Sequence, residues 1–101
     1  MTLTLKSFTG GQLPGSKGTL YTVPAGSTVS LRVSLVNTST SDVKVNLYAS
    51  GGYRFIPKDM VLSAGDAHYT DSYEMEDGDN LEGDATMSGV VDYLVRGLVR
   101  T

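Results

Sequence analysis

The sequence predicts an all-β chain, a single antiparallel β-sandwich (jelly-roll or Ig-like) of eight or nine short strands, and three observations carry that expectation. Apolar and polar residues alternate with period two along the best-patterned stretches. Gly-, Ser- and Asp-rich turns separate them, and no stretch shows a helical i, i+3, i+4 stripe. Many short strands between such turns are the profile of a sandwich or jelly roll.

The best-patterned strand is Thr28–Asn37. Val29, Leu31, Val33 and Leu35 fall on one face, and Thr28, Ser30, Arg32 and Ser34 on the other. Strand side chains alternate between faces, so one face meets a core and the other meets water. Val43, Val45, Leu47 and Ala49 repeat the pattern after the polar loop 37–42, and the two strands are expected to pair antiparallel across it. Tyr48 shares a face with Lys44 and Asn46 and is expected to be exposed. Shorter strands are expected over 3–8, 19–23, 53–56, 60–62, 67–75, 80–86 and 90–99.

Three turns share one plan: Pro24-Ala25-Gly26-Ser27, Ser63-Ala64-Gly65-Asp66 and Glu76-Asp77-Gly78-Asp79. Glycine third in a four-residue turn suits a type II turn, which needs φ > 0 there. They read as three equivalent strand-to-strand corners, the alternative being three unrelated turns of common composition.

One domain, 1–101, accommodates the length. Residues 1–18 form a candidate N-terminal arm with a Gly-rich linker, because 9–18 holds four glycines in ten residues. Such a strand pairs either with its own sheet or with a neighbour's. The closing strand offers a second choice. Val91, Tyr93, Val95 and Val99 share one face, while Val90, Leu94 and Leu98 lean to the other. Either another subunit covers the second face, or a bulge at Gly97 shifts the phase and returns Leu98 to the core. Leu3, Leu5 and Phe8 on the arm and Leu94 and Leu98 on the closing strand are therefore the candidate subunit-interface residues, and a homotrimer is the expected assembly.

Charge and chemistry narrow the function. The net charge is −3, and seven of the eleven carboxylates (Asp71, Glu74, Glu76, Asp77, Asp79, Glu82 and Asp84) crowd one stretch. The eight basic residues are scattered, so there is no cationic stripe for nucleic acid or an anionic membrane surface. Cysteine is absent, which removes disulfides, thiolate zinc and cysteine nucleophiles. Neither a signal-peptide run nor a stretch near the ~20 apolar residues of a membrane span is visible.

His68 is the single histidine, placed between Ala67 and Tyr69, and is expected on the solvent face. Ser63, Asp66 and Asp71 are near it in sequence only, which does not make a triad. The acidic run 74–84 does not follow the EF-hand spacing: counted from Asp77, the fifth and sixth positions are Leu81 and Glu82. Solvated strand faces joined by an acidic turn explain it better than a metal. No catalytic residue, cofactor or metal ligand is assigned, and the chain is read as a binding or building block rather than an enzyme.

Leu20-Tyr21-Thr22-Val23-Pro24-Ala25-Gly26, followed by a hydrophobic strand and Asn37-Thr38-Ser39, resembles the opening of small virion proteins of tailed bacteriophages. Ser63-Ala64-Gly65-Asp66, Asp77-Gly78-Asp79 and Gly89-Val90-Val91-Asp92-Tyr93 stand where those chains carry a second Ala-Gly turn, an acid-Gly-Asp turn and a closing strand. The resemblance spans about 19–99. Tyr73-Glu74-Met75 departs from the more aliphatic pattern of that family, which leaves the pairing of that strand open. The resemblance implies a β-sandwich structural protein of the virion, made in the host bacterial cytoplasm. It would be a capsid decoration (cement) protein on the phage major capsid protein, or a neck or tail component beside tail or portal-proximal proteins. An adhesion or carbohydrate-binding module is a further reading of the residues.

Overall fold

The computed structural model describes residues 3–49 and 51–100, with the backbone alone at 3–5. Ten strands follow in order: β1 (Leu3–Gln12), β2 (Gly18–Thr22), β3 (Thr28–Asn37), β4 (Val43–Ala49), β5 (Tyr53–Arg54), β6 (Met60–Leu62), β7 (Ala67–Tyr69), β8 (Tyr73–Met75), β9 (Asn80–Ala85) and β10 (Val91–Arg100). One antiparallel sheet, here sheet A, has the order β1-β10-β3-β7, with β8 also on β3. Sheet B has the order β2-β9-β4-β5, with β6 also on β4. Since β7 and β8 share one neighbour, as do β5 and β6, each sheet has four strand positions in jelly-roll order.

The all-β sandwich stands, with ten strands instead of eight or nine. The count rises because the stretch 67–75 breaks in two. Thr70 folds in at the break: its N–H donates to the Val33 carbonyl (3.0 Å), and its Oγ1 accepts from the Val33 N–H (2.9 Å). A hydroxyl thus replaces one rung of the ladder and leaves no buried N–H unpaired.

Period-two alternation builds the core. Val29, Leu31, Val33 and Leu35 from β3 meet Val43, Val45 and Leu47 from β4, joined by Leu81, Val91, Val95 and Met75. Closing the two inner faces removes these side chains from water, at roughly 1.5–3 kcal/mol for each large one.

The expected β3–β4 pairing is not formed, because the chain changes sheets in the loop between them. Asn37, fully buried, holds that crossing. Its Nδ2 donates to the carbonyls of Ser41 (2.8 Å) and Leu62 (2.9 Å), and its Oδ1 accepts from the Ser39 N–H (3.0 Å) and hydroxyl (2.7 Å). An amide with all four bonding directions used pins the chain at a place where a hairpin would have needed a free ladder.

The three recurrent turns are equivalent corners. Each carries the chain from one sheet to the other, and Gly26, Gly65 and Gly78 have φ of 78°, 73° and 83°. Each is closed by a bond from the fourth N–H to the first carbonyl: Ser27 to Pro24 (3.2 Å), Asp66 to Ser63 (2.9 Å) and Asp79 to Glu76 (2.9 Å).

The segment read as an arm and linker runs as β1 against β10 of the same chain, followed by a packed corner. Leu13 is fully buried there, its N–H on the Val91 carbonyl at 2.9 Å.

Candidate subunit interface

The two outer faces of the sandwich are finished differently. On sheet B the register sets Asn46 opposite Asp84, and Tyr48 opposite both Glu82 and Arg54. Asn46 Nδ2 donates to Asp84 Oδ1 (2.9 Å) and Asp59 Oδ1 (3.1 Å), while its Oδ1 accepts from Arg54 Nη1 (2.6 Å) and the Asp59 N–H (2.9 Å). Tyr48 donates its hydroxyl to Asp84 Oδ2 (2.9 Å), and its ring lies beneath Lys17 Nζ at 4.6 Å and the Arg54 guanidinium at 4.7 Å. Asp59 sits at φ 50°, which short polar side chains tolerate. The hydrogen bond from Asn46 holds its carboxyl below the usual range, helped by Lys58, Lys44 and Arg54. Burial, then the bond to Asp84, pushes the Tyr48 hydroxyl up.

Tyr48 is therefore buried, contrary to the expectation of exposure. The pattern put it on the outer face correctly, but Lys17 and the 51–59 segment fold over that face and seal it with satisfied polar groups.

Among the described residues, sheet A has no such cover from β10 to β3. The ladder between them runs without a register shift from Val91 opposite Asn37 to Arg100 opposite Thr28. The bulge considered at Gly97 is absent, and Leu94 and Leu98 stay on the outer face, 39% and 37% exposed. Gly97 is there for another reason: a Cβ would run into the Ser30 carbonyl oxygen and come within 2.9 Å of Leu31 Cα. The irregularity lies in β1, between Ser7 and Thr9. There Phe8 turns inward, half-buried, with its ring 5.1 Å from that of Tyr21.

Of the expected interface residues, Leu94 and Leu98 stand on one open face, and Phe8 is engaged within the protomer. The register sets Leu5 opposite Leu98 and Leu3 opposite Arg100, and the side chains of Leu3 and Leu5 lie outside the described residues.

The face holds more than the sequence suggested. Arg96 stands directly opposite Arg32, between the levels of Leu94 and Leu98. Tyr69, opposite Ser34, adds a ring that is 72% exposed. Together with Ser72 these residues line a shallow groove at the break between β7 and β8. Arg32 Nε donates to Ser72 Oγ at 3.0 Å. Among the described residues the one ion pair is Lys17–Glu82 at 3.9 Å, so neither arginine has a carboxylate partner within the protomer. Like charges directly opposite each other on a sheet are unfavourable, which makes an incoming anionic group welcome. Leu, Tyr and Arg on a flat, uncovered face suit a protein contact: apolar area supplies the binding energy and the guanidinium groups supply orientation.

Nothing local could have paired the arginines. They lie 64 positions apart, and each looks like an ordinary solvated residue on its own strand. His68 was misplaced by the same limit. It is half-buried and opposite core residue Leu35, while Ala67 and Tyr69 are exposed, because a three-residue strand is too short to fix its phase from pattern.

No protein-family model matches the chain, and no curated protein does. Among solved structures, it is similar to one of Bacillus endospore appendages, described as disulfide-linked pili, with a TM-score of 0.58 and 16% identity over 99% of this chain and 88% of that one. A structure of the T13 IBDV viral particle gives a TM-score of 0.44 and 14% identity over 96% of this chain and 30% of that one. The first likeness shows a shared fold.

Proposed function

We propose that this chain is a non-enzymatic structural protein of a tailed-phage virion, a capsid decoration protein that seats on the assembled head. The single observation that carries the reading is the asymmetry of the sandwich: a polar network covers the centre of sheet B at Asn46 and Tyr48, with Val61 exposed toward its edge, while the outer face of sheet A presents Leu94, Leu98 and Tyr69 around two arginines that form no ion pair among the described residues. A free-standing domain gains nothing from such a face, whereas a subunit that docks does. The resemblance of its turn and strand motifs to those of small virion proteins favours a phage particle as the assembly. The fold it shares with the pilus protein also serves in an assembly, but this chain has no cysteine, so disulfides do not link its copies.

The test is immunogold labelling of purified phage with antibody against this chain. Label spread over the head is the expected result. Label confined to the head–tail junction or the tail moves the protein to a neck or tail position, and unlabelled particles overturn the reading.

A further inference from the structure

We infer that the Arg32–Arg96 pair on sheet A receives the acidic β8–β9 corner of a second copy of this chain, with Leu94 and Leu98 covered by the same contact. The inference rests on reading the protein as an assembling structural subunit, and it names the surface through which copies meet.

Charge complementarity chooses the occupant. Arg32 and Arg96 stand opposite each other on adjacent strands, and among the described residues neither forms an ion pair, although exposed Glu74 lies opposite Ser30 on the same outer face. The densest acid on the molecule is the stretch that includes the corner Glu76-Asp77-Gly78-Asp79, where Glu76 and Asp77 are exposed. That corner is also rigid. Asp79 Oδ2 accepts the Glu76 N–H at 2.9 Å, and Asp77 Oδ2 accepts the Gly26 N–H at 3.1 Å, fastening it to the β2–β3 corner. Its backbone is thus ordered before binding, which lowers the entropy cost of docking. The Glu76 carboxylate has no partner within the protomer among the described interactions, so it is available to a neighbour.

The positions of the two patches set the symmetry. The arginines sit at the middle of β3 and β10, whereas the acidic corner is at one end of a body measuring 45 × 24 × 19 Å. A contact between two different patches is heterologous, so copies join head to tail. Repetition of such a contact builds a ring where the rotation between neighbours closes and a filament where it does not, and a trimer is the smallest such ring.

Sedimentation velocity on the purified full chain decides the matter, with ionic strength and two charge reversals as variables. At about 0.05 M salt the protein is expected to sediment above the monomer, and at about 0.5 M, where the screening length falls to a few ångströms, it is expected to dissociate. Arg96→Glu and Glu76→Lys, both at exposed positions, should each weaken self-association about tenfold or more, and the double reversal should restore it. Circular dichroism on the same samples confirms that each variant is folded. A wild type that is monomeric at every concentration overturns the inference, as does association indifferent to both reversals or a double variant that fails to recover. None of these outcomes bears on particle labelling, so the functional reading stands or falls separately.

Discussion

The Gly26 N–H and Asp77 Oδ2, 3.1 Å apart, tie two sheet-crossing corners together at one end of the sandwich. The Gly78 N–H reinforces the junction by donating to the Val23 carbonyl at 3.2 Å, and the Val23 N–H donates to the Asp79 carbonyl at 2.9 Å. Residues 51 positions apart in sequence are thereby locked across both layers, so the corners act as staples of the fold and not merely as connections.

Replacement of the corner glycines should reveal that role through backbone strain alone. A Cβ at Gly26 or Gly65 meets no atom within 4 Å, so no clash confuses the result. The positive φ remains, and a non-glycine residue there costs roughly 1–2 kcal/mol. Gly26→Ala and Gly65→Ala should each lower stability in urea unfolding by about that amount. Unchanged midpoints for both would remove the strained-corner account.

Leu31 and Ser30 are neighbours on one strand that face opposite ways. Leu31 is fully buried, and Ser30 lies on the outer face opposite Leu98. Leu31→Ala should destabilise by about 2–5 kcal/mol through lost burial and a residual cavity. Ser30→Ala should stay within about 0.5 kcal/mol of the parent. Chemical denaturation of the pair makes the comparison, and equal losses would contradict the assigned faces.

Long-period pattern was legible in the sequence, and tertiary neighbourhood was not. Strands Thr28–Asn37 and Val43–Ala49 were bounded correctly because seven to ten residues of alternation overdetermine the phase. The corners were legible because φ > 0 strongly favours glycine. By contrast, Val43 pairs with Leu62 rather than with β3, and that choice depends on Asn37 reaching the carbonyls of nearby Ser41 and distant Leu62. Tyr48 was placed on the right face but in the wrong environment, since its cover comes from Lys17 and Arg54, 31 residues before it and six after it. Half of the candidate interface was visible as Leu94 and Leu98. The arginine pair was not, because register between β3 and β10 is a property of the assembled sheet.

Stability should depend on Asp59 on the acid side. The hydrogen bond from Asn46 depresses the folded-state pKa of Asp59 below its unfolded value. The stabilisation is therefore complete above the unfolded pKa, near about 4, and is lost as pH falls through the folded value. Asp59→Asn tolerates the same positive φ and can still accept from Asn46, but it carries no charge to titrate. Its unfolding midpoint should fall less steeply than the parent's below about pH 4. Parallel acid limbs would show that Asp59 contributes nothing to the pH dependence.

Millimolar calcium should leave the melting temperature within about 1 °C of its value in chelator. The carboxylates of the acidic stretch are directed to separate partners: Asp77 to Gly26, Asp79 to Glu76, Glu82 to Lys17 and Asp84 to Asn46 and Tyr48. Among the described residues no three of them converge on a point. A site with Kd near 10 µM would add about 2.7 kcal/mol at 1 mM calcium, which in a chain of this size raises the melting temperature by roughly 10 °C or more. A rise of that order in differential scanning calorimetry would restore a metal role to this segment.

Leu94 gives the most direct test of the open face. It is 39% exposed, stands opposite Ser34 and Gly10, and shares its side of β10 with Arg96. Leu94→Asp removes apolar area from the stripe and puts a carboxylate beside the guanidinium that an incoming acid would need. The isolated fold should accept the change, because the position already faces water. An oligomer should not accept it, because the new carboxylate takes the incoming acid's place at the guanidinium and repels that acid, while the apolar cover of Leu94 is lost. Light scattering should report a trimer for the parent and a monomer for Leu94→Asp. Val61→Asp supplies the control: Val61 is 56% exposed but belongs to sheet B, away from the stripe, and its substitution should leave the mass unchanged. If both variants dissociate, the contact lies elsewhere on the molecule, and if Leu94→Asp keeps the parent mass, the outer face of β10 is not where subunits meet. A parent that scatters as a hexamer would favour a ring on the tail over threefold positions on the head, since rotational order in the soluble assembly should follow the symmetry of the site it occupies.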